Sequence, residues 1–441
     1  HGTYTFDLVD STGSVADYSL YRPEIPGSNY RPVLDSLGLA VRYRSESDAE
    51  AMTAEYLIRN IDQAFEARER YPWAGHYSDD LFRRYVLPYR IDVEELTDWR
   101  AFFRERYEPM VDTLSEPRTV RRVARLIIRD VNSRFGFHEE ALMLKPAFTP
   151  QEAFACGRGE CNSVADIHVL ALRAMGIAAT KDMIPVWGTS DGGHAEAVYF
   201  DEEGNPVMLD TGEWLAAGPP KIYRVEFAPW VTSTERANVF EDPYYRDVTA
   251  EYVATSDLTV AFDSVADATA GERAALAVFG NERWRPAVLA EETESESDAG
   301  LQRYVFRQIG RGMLYLPVWV DEPLSVRPAG RPFRLDPRGN IQYHGEPDTT
   351  RSVTMDLTPL VRRRDLDTLD AGRLYVAYWT PQGWRRVDAE VCRSVSATDG
   401  GPVYTVAGVP ADGIYCLFDK TTGRTYHRRI FYFRKGTVRR F

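Results

Sequence analysis

The chain has 441 residues, of which 44% are hydrophobic and 27% are charged. A chain of this length and composition can bury several cores, so we expect two to four domains. The net charge is −13, with lysine and arginine scattered along the chain, which excludes the basic stripe of a nucleic-acid-binding protein. No apolar run approaches the roughly 18 to 20 residues of a membrane-spanning helix, so we expect no transmembrane span.

The N-terminal part of the chain changes character near residue 46. Residues 1–45 are rich in Tyr, Ser, Gly and Pro with little periodicity, which predicts an irregular segment. Apolar residues then recur at helical spacing up to Tyr71-Pro72, which predicts an amphipathic helix. Further helices are predicted around residues 80–86, 98–111 and 118–135.

A small sheet is predicted after these helices. Beyond residue 178 the chain contains the extended runs DMIPVW, HAEAVYF and PVMLD, with a turn sequence at 203–206 between the last two. Helices followed by a small antiparallel sheet form an α+β domain, which we assign to residues 46–240.

The last two hundred residues contain an internal repeat. LAVFGNERWRP from Leu276 matches VAYWTPQGWRR from Val376, and GRGMLYLPVW from Gly310 matches PADGIYCLFD from Pro410. The offset is 100 residues in both matches. A constant offset predicts two tandem β-sandwich-like domains of one design, at residues 245–345 and 346–441.

The cysteines indicate neither a disulfide scaffold nor a metal site. There are four, and no CxxC or clustered Cys/His spacing predicts structural zinc, so we expect no metal and no cofactor. Cys156 is interpreted as structural. Cys392 and Cys416 lie in predicted strands of the second repeat, where they form either a disulfide, which would imply an oxidising compartment, or two buried free thiols.

The segment at residues 157–213 contains the candidate nucleophile, Cys161. Gly157 and Gly159 precede it, and apolar residues after it repeat on one helix face that ends at Gly176. Cys161 is therefore predicted at a helix N-terminus. There the peptide dipoles and unpaired N–H groups favour a thiolate and can bind an oxyanion.

A cysteine nucleophile also needs a base and a group that orients the base. His194 begins a predicted strand directly after Gly192-Gly193, and Asp210 ends the next strand across a short hairpin. Neighbouring strands bring Cβ atoms within about 5 Å, so His194 and Asp210 are predicted to lie at one end of the sheet. The candidate catalytic residues are Cys161, His194 and Asp210.

With these motifs, residues 118–235 resemble the core of the transglutaminase-like superfamily, whose papain-like arrangement is shared with bacterial cysteine proteases and peptide N-glycanases. The Gly-x-Cys helix start, the His-Ala strand start, the Leu-Asp hairpin end and the R-A-M-G-I helix end carry the resemblance. It implies Cys161 as nucleophile, His194 as base and Asp210 as orienting acid. The chain departs from the pattern at Glu196, where family members often have Trp.

Several other residues have structural interpretations. His168 lies about 10 Å along the helix from Cys161 and is interpreted as a satisfied helix histidine, while His138 is expected in a loop. Trp187 and Glu160 flank the site in sequence, where each is a candidate for shaping the site or assisting the oxyanion hole, although a structural role is favoured for both. The repeated aromatic residues are either a sugar-binding platform or, as we favour, core residues of the sandwiches. They include Trp284, Trp379 and Trp384.

Two functions remain open at this level. The first is a cysteine hydrolase or acyltransferase that acts on an amide bond of a peptide or protein, glycan-linked ones included, through a thioester, with hydrolysis favoured over crosslinking. The second is a catalytically inactive scaffold that binds a polypeptide or glycan at the cell surface. Similarity of LPYRIDVEELTDWR to secreted or lipid-anchored Bacteroidetes proteins implies a periplasmic or cell-surface location. The sequence carries no signal for the oligomeric state.

Overall fold

The computed structural model is a mixed α+β structure with several separate sheets, which confirms the expected α+β class. None of the helices it describes has the length and apolar character that crossing a bilayer requires. The structure describes residues 2–21, 30–139, 141, 147–209, 213–227, 240, 242–262, 271–294, 302–321, 325–396, 398 and 400–441.

The α-helices of these ranges all precede residue 253. They are α1 (Arg31–Leu37), α2 (Asp48–Ala51), α3 (Ala54–Arg70), α4 (Asp79–Tyr85), α5 (Trp99–Asp112), α6 (Val120–Arg134), α7 (Pro150–Cys156), α8 (Cys161–Ala174) and α9 (Thr249–Tyr252). Short 3-10 helices span Ala74–His76, Glu213–Ala217, Thr358–Leu360, Arg363–Asp365 and Ala371–Arg373. Side chains of Thr53, Ser78 and Thr119 accept a backbone N–H and cap α3, α4 and α6. The predicted helices are confirmed.

The strands before the sandwiches are β1 (Gly2–Val9), β2 (Ala40–Ser47), β3 (Gly136–Phe137), β4 (Arg158–Gly159), β5 (Ala179–Ile184), β6 (His194–Phe200), β7 (Pro206–Met208), β8 (Tyr223–Val225) and β9 (Tyr245–Asp247). An antiparallel sheet of order β7-β6-β5-β8-β9 lies beside α8, and the strands predicted at its centre are confirmed. α8 contacts β5 and β6 on one side and α5 and α6 on the other. Most of α8 is buried because it lies between these elements, and its polar residues Asp166, His168 and Arg173 are buried with its apolar ones.

Two expectations for this part of the chain were wrong. Residues 1–45 are not irregular throughout, because β1 pairs with β2 over eight residues and buries Thr3, Thr5 and Leu8. Those threonines conceal a period-2 pattern that an apolar count misses. The first domain also extends beyond residue 240, because β9 pairs with β8 and completes the sheet.

Two similar β-sandwiches follow. The first contains β10 (Thr255–Phe262), β11 (Arg273–Gly280), β12 (Arg283–Leu289), β13 (Glu292–Glu294), β14 (Gln302–Gly310), β15 (Leu314–Val320), β16 (Val326–Pro328), β17 (Phe333–Leu335) and β18 (Ile341–Tyr343). Its sheet β10-β14-β13 packs on the sheet β12-β11-β15-β17-β18, in which β16 also pairs with β15. The second contains β19 (Asp348–Asp356), β20 (Leu374–Thr380), β21 (Gly383–Arg386), β22 (Val391–Val395), β23 (Pro402–Ala411), β24 (Ile414–Asp419), β25 (Thr425–Arg434) and β26 (Thr437–Arg440). Its sheet β19-β23-β22 packs on the sheet β21-β20-β24-β25-β26, and each sandwich has its own core.

Equivalent contacts recur in the two sandwiches at the offset seen in the sequence. Phe279 pairs with Trp284 across β11 and β12, as Trp379 pairs with Trp384 across β20 and β21. A tyrosine hydroxyl at the start of a strand also donates to a carbonyl five residues earlier in both copies. These pairs are Tyr315 with Gly310 and Tyr415 with Pro410.

The outer faces of the two larger sheets pack on each other. Phe279 lies 5.8 Å from Trp384 and Trp284 lies 5.9 Å from Trp379, measured between ring centroids. Phe279 is equivalent to Trp379 in the two repeats, and Trp284 is equivalent to Trp384. Each contact therefore pairs one of these positions in the first copy with the other position in the second copy, which is the reciprocal pattern of a two-fold interface. Trp284 and Trp379 are buried here. These aromatic residues thus belong to a core between the sandwiches, with Trp384 partly exposed at its edge.

The four cysteines are all free thiols. Cys416 on β24 is buried in the core between the sandwiches, whereas Cys392 on β22 is exposed. The structure thus contains neither the disulfide nor the pair of buried thiols expected from the sequence. The two strands belong to different sheets of the second sandwich, which separates the thiols.

Candidate functional site

A cleft of about 1090 Å³ lies where the α+β domain meets both sandwiches. Cys161 and His194 lie on its α+β wall. The opposite wall comes from the β11–β12 hairpin of the first sandwich and the β20–β21 hairpin of the second. Its residues include Arg283, Trp284, Arg285, Trp379, Gln382 and Trp384.

Cys161 is the first residue of α8 and is partly exposed to the cleft. The two glycines before it have separate geometric reasons. Gly157 ends α7 with a φ of 76°, in the left-handed region that favours glycine. A Cβ on Gly159 would lie 2.3 Å from the ring of Phe135. The Gly-Arg-Gly sequence therefore allows the chain to turn tightly and present Cys161 at a helix N-terminus.

His194 is the first residue of β6, directly opposite Ile184 at the end of β5. Gly193 must be a glycine, because a Cβ there would lie 2.4 Å from the carbonyl oxygen of Ile184. Gly192 has a φ of 74°. The Gly-Gly pair thus forms a fixed tight turn that places the imidazole in the cleft.

The loop between β5 and β6 is held by the first sandwich. The amide of Gly192 donates to Oδ1 of Asn281 at 2.9 Å, and the amide of Asn281 donates to Oδ1 of Asp191 at 2.8 Å. Trp187 in this loop is buried and stacks on the imidazole of His194, with ring centroids 5.9 Å apart. The sequence indicated Trp187 only by its proximity, whereas the structure places it against the candidate base.

The imidazole of His194 interacts with both Cys161 and a carboxylate. Burial disfavours the charged ring, but its interactions with Cys161 and with the negative charge of Glu196 outweigh this effect and raise the pKa of His194 to about 9. Nε2 of His194 lies 3.4 Å from Oε2 of Glu196. This distance exceeds the usual 2.7–3.2 Å of a hydrogen bond, so we describe the two side chains as an ion pair.

Glu196 was not among the predicted site residues. It lies two positions after His194 on the same strand, and alternation along a strand puts positions i and i+2 on one face. Its other oxygen, Oε1, accepts the amide of Leu209 at 3.2 Å, and its side chain is 10% exposed. The period of two along a strand is the sequence signal that could have identified Glu196 as a site residue. Asp210, the predicted orienting acid, lies outside the described residues.

A buried polar cluster supports the start of α8. Nζ of Lys181 on β5 donates to Asn162 at 2.7 Å, to Asp92 at 2.8 Å and to Asp166 at 2.7 Å. Asn162 follows Cys161 directly and in turn donates to Asp92 at 3.1 Å. Burial opposes the charge on Lys181, but the two carboxylates outweigh it and raise its pKa. The cluster therefore fixes the first turn of α8 relative to the sheet.

The other residues considered from the sequence differ in burial and in whether they line the cleft. His168 is buried, with Nδ1 2.8 Å from the carbonyl oxygen of Val164, and burial lowers its pKa to about 4. His138 is exposed and does not line the cleft. Cys156 is buried, which raises its pKa. Glu160 lines the cleft, and burial raises its pKa. Within the described ranges, no group of three His, Cys, Asp or Glu side chains is placed to hold a metal ion.

The site thus combines a thiol at a helix N-terminus, an imidazole on the same wall of the cleft and a buried carboxylate beside the imidazole. This is the arrangement required for nucleophilic catalysis by cysteine. No protein-family model, no curated protein and no solved structure matches the chain. The function is therefore inferred from the residues of the site.

Proposed function

We propose that the chain is a transglutaminase-like cysteine enzyme that acts on an amide bond, with hydrolysis favoured over crosslinking. The observation that carries the proposal is that Cys161, at the first turn of α8, and His194, at the start of β6, line the same cleft. A histidine whose pKa is about 9 is protonated near neutral pH, and a proton held there favours the thiolate of the neighbouring cysteine. A buried histidine with only a structural role would tend instead to lose its charge, as His168 does.

In the proposed reaction the Cys161 thiolate attacks the carbonyl carbon of the amide. Backbone N–H groups at the start of α8 stabilise the negative oxygen of the tetrahedral intermediate. The His194 imidazolium gives its proton to the leaving nitrogen, the C–N bond breaks, and a thioester and an amine result. Neutral His194 then takes a proton from water, which attacks the thioester and releases a carboxylic acid and the thiolate.

The surrounding residues keep the imidazole in position during both steps. Trp187 restricts the plane of the ring, and Glu196 favours its charged form. The resemblance implies that Asp210 also orients it. Replacement of water by an amine in the second step would give crosslinking, and similarity to bacterial family members makes hydrolysis our preference. A peptide or protein substrate in the periplasm or at the cell surface is part of the same proposal.

The proposal is tested by iodoacetamide labelling of Cys161 between about pH 5 and 9 in the wild type and in His194→Ala. We expect fast labelling near pH 6 that collapses without His194, because an ordinary thiol has a pKa of about 8.5 and reacts slowly there. His138→Ala is the matched control, since this histidine is exposed and outside the cleft. Peptide mapping separates Cys161 from the other thiols, with buried Cys156 as an internal standard.

Equal labelling in the wild type and His194→Ala, or labelling of Cys161 at the rate of an ordinary thiol, would remove the basis for an enzyme. The inactive scaffold would then be the better proposal. If the thiol is activated, peptides incubated with and without a primary amine distinguish hydrolysis from crosslinking by product mass.

A further inference from the structure

We infer that the cleft binds a substrate carrying a carboxylate next to the amide that is cleaved, and that Arg283 and Arg285 bind this carboxylate. The inference rests on the proposed function and names its substrate class. Both arginines line the same cleft as Cys161 and His194. They lie on β12, two positions apart, so their side chains leave the same face of the strand.

The two guanidinium groups have no partner within the part of the chain that the structure describes. Neither forms an ion pair or a hydrogen bond with another described residue, although many arginines of this acidic protein do, such as Arg106 with Asp130 and Arg327 with Glu272. Arg285 is half-buried and Arg283 is exposed. Burial and repulsion by Arg283 lower the pKa of Arg285, while Asp191 opposes the effect. Two neighbouring cations without a partner in a cleft favour an anionic ligand.

Among the described residues, no carboxylate forms an ion pair or a hydrogen bond with Arg283 or Arg285. Oε2 of Glu282, which lines the cleft, lies 3.6 Å from Nε of Arg424. Asp191 accepts the backbone amide of Asn281 and offsets part of the charge of Arg285. The pKa of Glu160 is raised by burial, which favours its neutral form. The arginine pair therefore retains positive charge that an anionic ligand can neutralise.

Guanidinium groups suit a carboxylate because their planar fork donates two parallel N–H groups to its two oxygens. The carboxylate can be a side chain of the substrate or a free C-terminus, since both present the same two oxygens. The net charge of −13 repels anions from the protein as a whole. A local attraction within the cleft would therefore be selective for substrates that place their carboxylate correctly.

The test uses bromoacetyl peptides, in which the Cys161 thiolate displaces bromide and forms a thioether. Bromoacetyl-Gly-Glu-amide is compared with bromoacetyl-Gly-Gln-amide for a side-chain carboxylate, and bromoacetyl-Gly-Gly with its amide for a terminal one. In the wild type we expect the anionic member of at least one pair to label Cys161 about threefold to tenfold faster than its neutral partner. The preference should decrease as salt is added.

The Arg283→Gln/Arg285→Gln variant should lose this preference, measured as the ratio of the anionic to the neutral labelling rate. Arg385→Gln is the matched control, because Arg385 holds the position of Arg285 in the second repeat, is exposed and does not line the cleft. Equal rates for both pairs in the wild type, or a preference that survives the double change or disappears in the control, would overturn the inference. Each result is a ratio of two labelling rates measured at the same thiol, Cys161. The ratio therefore tests carboxylate binding whether or not the iodoacetamide experiment shows that Cys161 is activated.

Discussion

Replacing Glu196 by Gln tests the electrostatic account of the site most directly. Gln keeps the size of the side chain and its ability to accept a hydrogen bond from Leu209, but it removes the negative charge beside Nε2 of His194. An opposite charge at this distance typically changes a pKa by one to three units. We therefore expect the pKa of His194 to fall from about 9 by at least about 1 unit.

The sign of the stability effect follows from the raised pKa. A histidine whose pKa rises from 6.5 to about 9 on folding stabilises the fold fully below about pH 6.5, and this contribution disappears as the pH rises through about 9. Loss of one pKa unit corresponds to about 1.4 kcal/mol. We expect Glu196→Gln to lower the free energy of unfolding by about 1 kcal/mol near pH 6, with a smaller difference above pH 9.

The assay is an NMR titration of His194, assigned by comparison with His194→Ala, together with urea unfolding at both pH values. Glu203→Gln is the control, because Glu203 is an exposed residue in the turn at the other end of β6. If the pKa of His194 in Glu196→Gln stays within about 0.3 units of the wild-type value, the charge of Glu196 does not raise it. If Glu203→Gln changes the pKa of His194 by the same amount as Glu196→Gln, the effect is not specific to Glu196.

Two further substitutions test how the site is built. Gly193→Ala should slow iodoacetamide labelling of Cys161 at least about tenfold, because the new Cβ would approach the carbonyl oxygen of Ile184 to 2.4 Å and displace the turn before His194; an unchanged rate would contradict this. Lys181→Met should lower the free energy of unfolding by about 3–5 kcal/mol, measured by urea unfolding near pH 7, because it leaves buried Asp166 without its cation; a loss below about 1 kcal/mol would mean that the cluster contributes little.

Local sequence was sufficient to predict the positions of Cys161 and His194 in their elements. Glycines before Cys161 and an apolar period after it indicate a helix start, and Gly192-Gly193 before an alternating run indicates a strand start. Both signals arise within a few residues of the feature they predict. The same locality explains the error at β1, where Thr3 and Thr5 are buried although their residue type indicates exposure.

The α+β class, the helix start at Cys161, the strand start at His194 and the offset of the repeat can all be read from the sequence. Their surroundings became visible in the fold: Trp187 on the imidazole, Asn281 on the loop before it, and the sandwiches as the opposite wall of the cleft. Helix and strand periods are local, whereas contacts between faces join residues far apart in the chain. The offset of 100 residues predicts two similar units, but it carries no information on which of their faces meet.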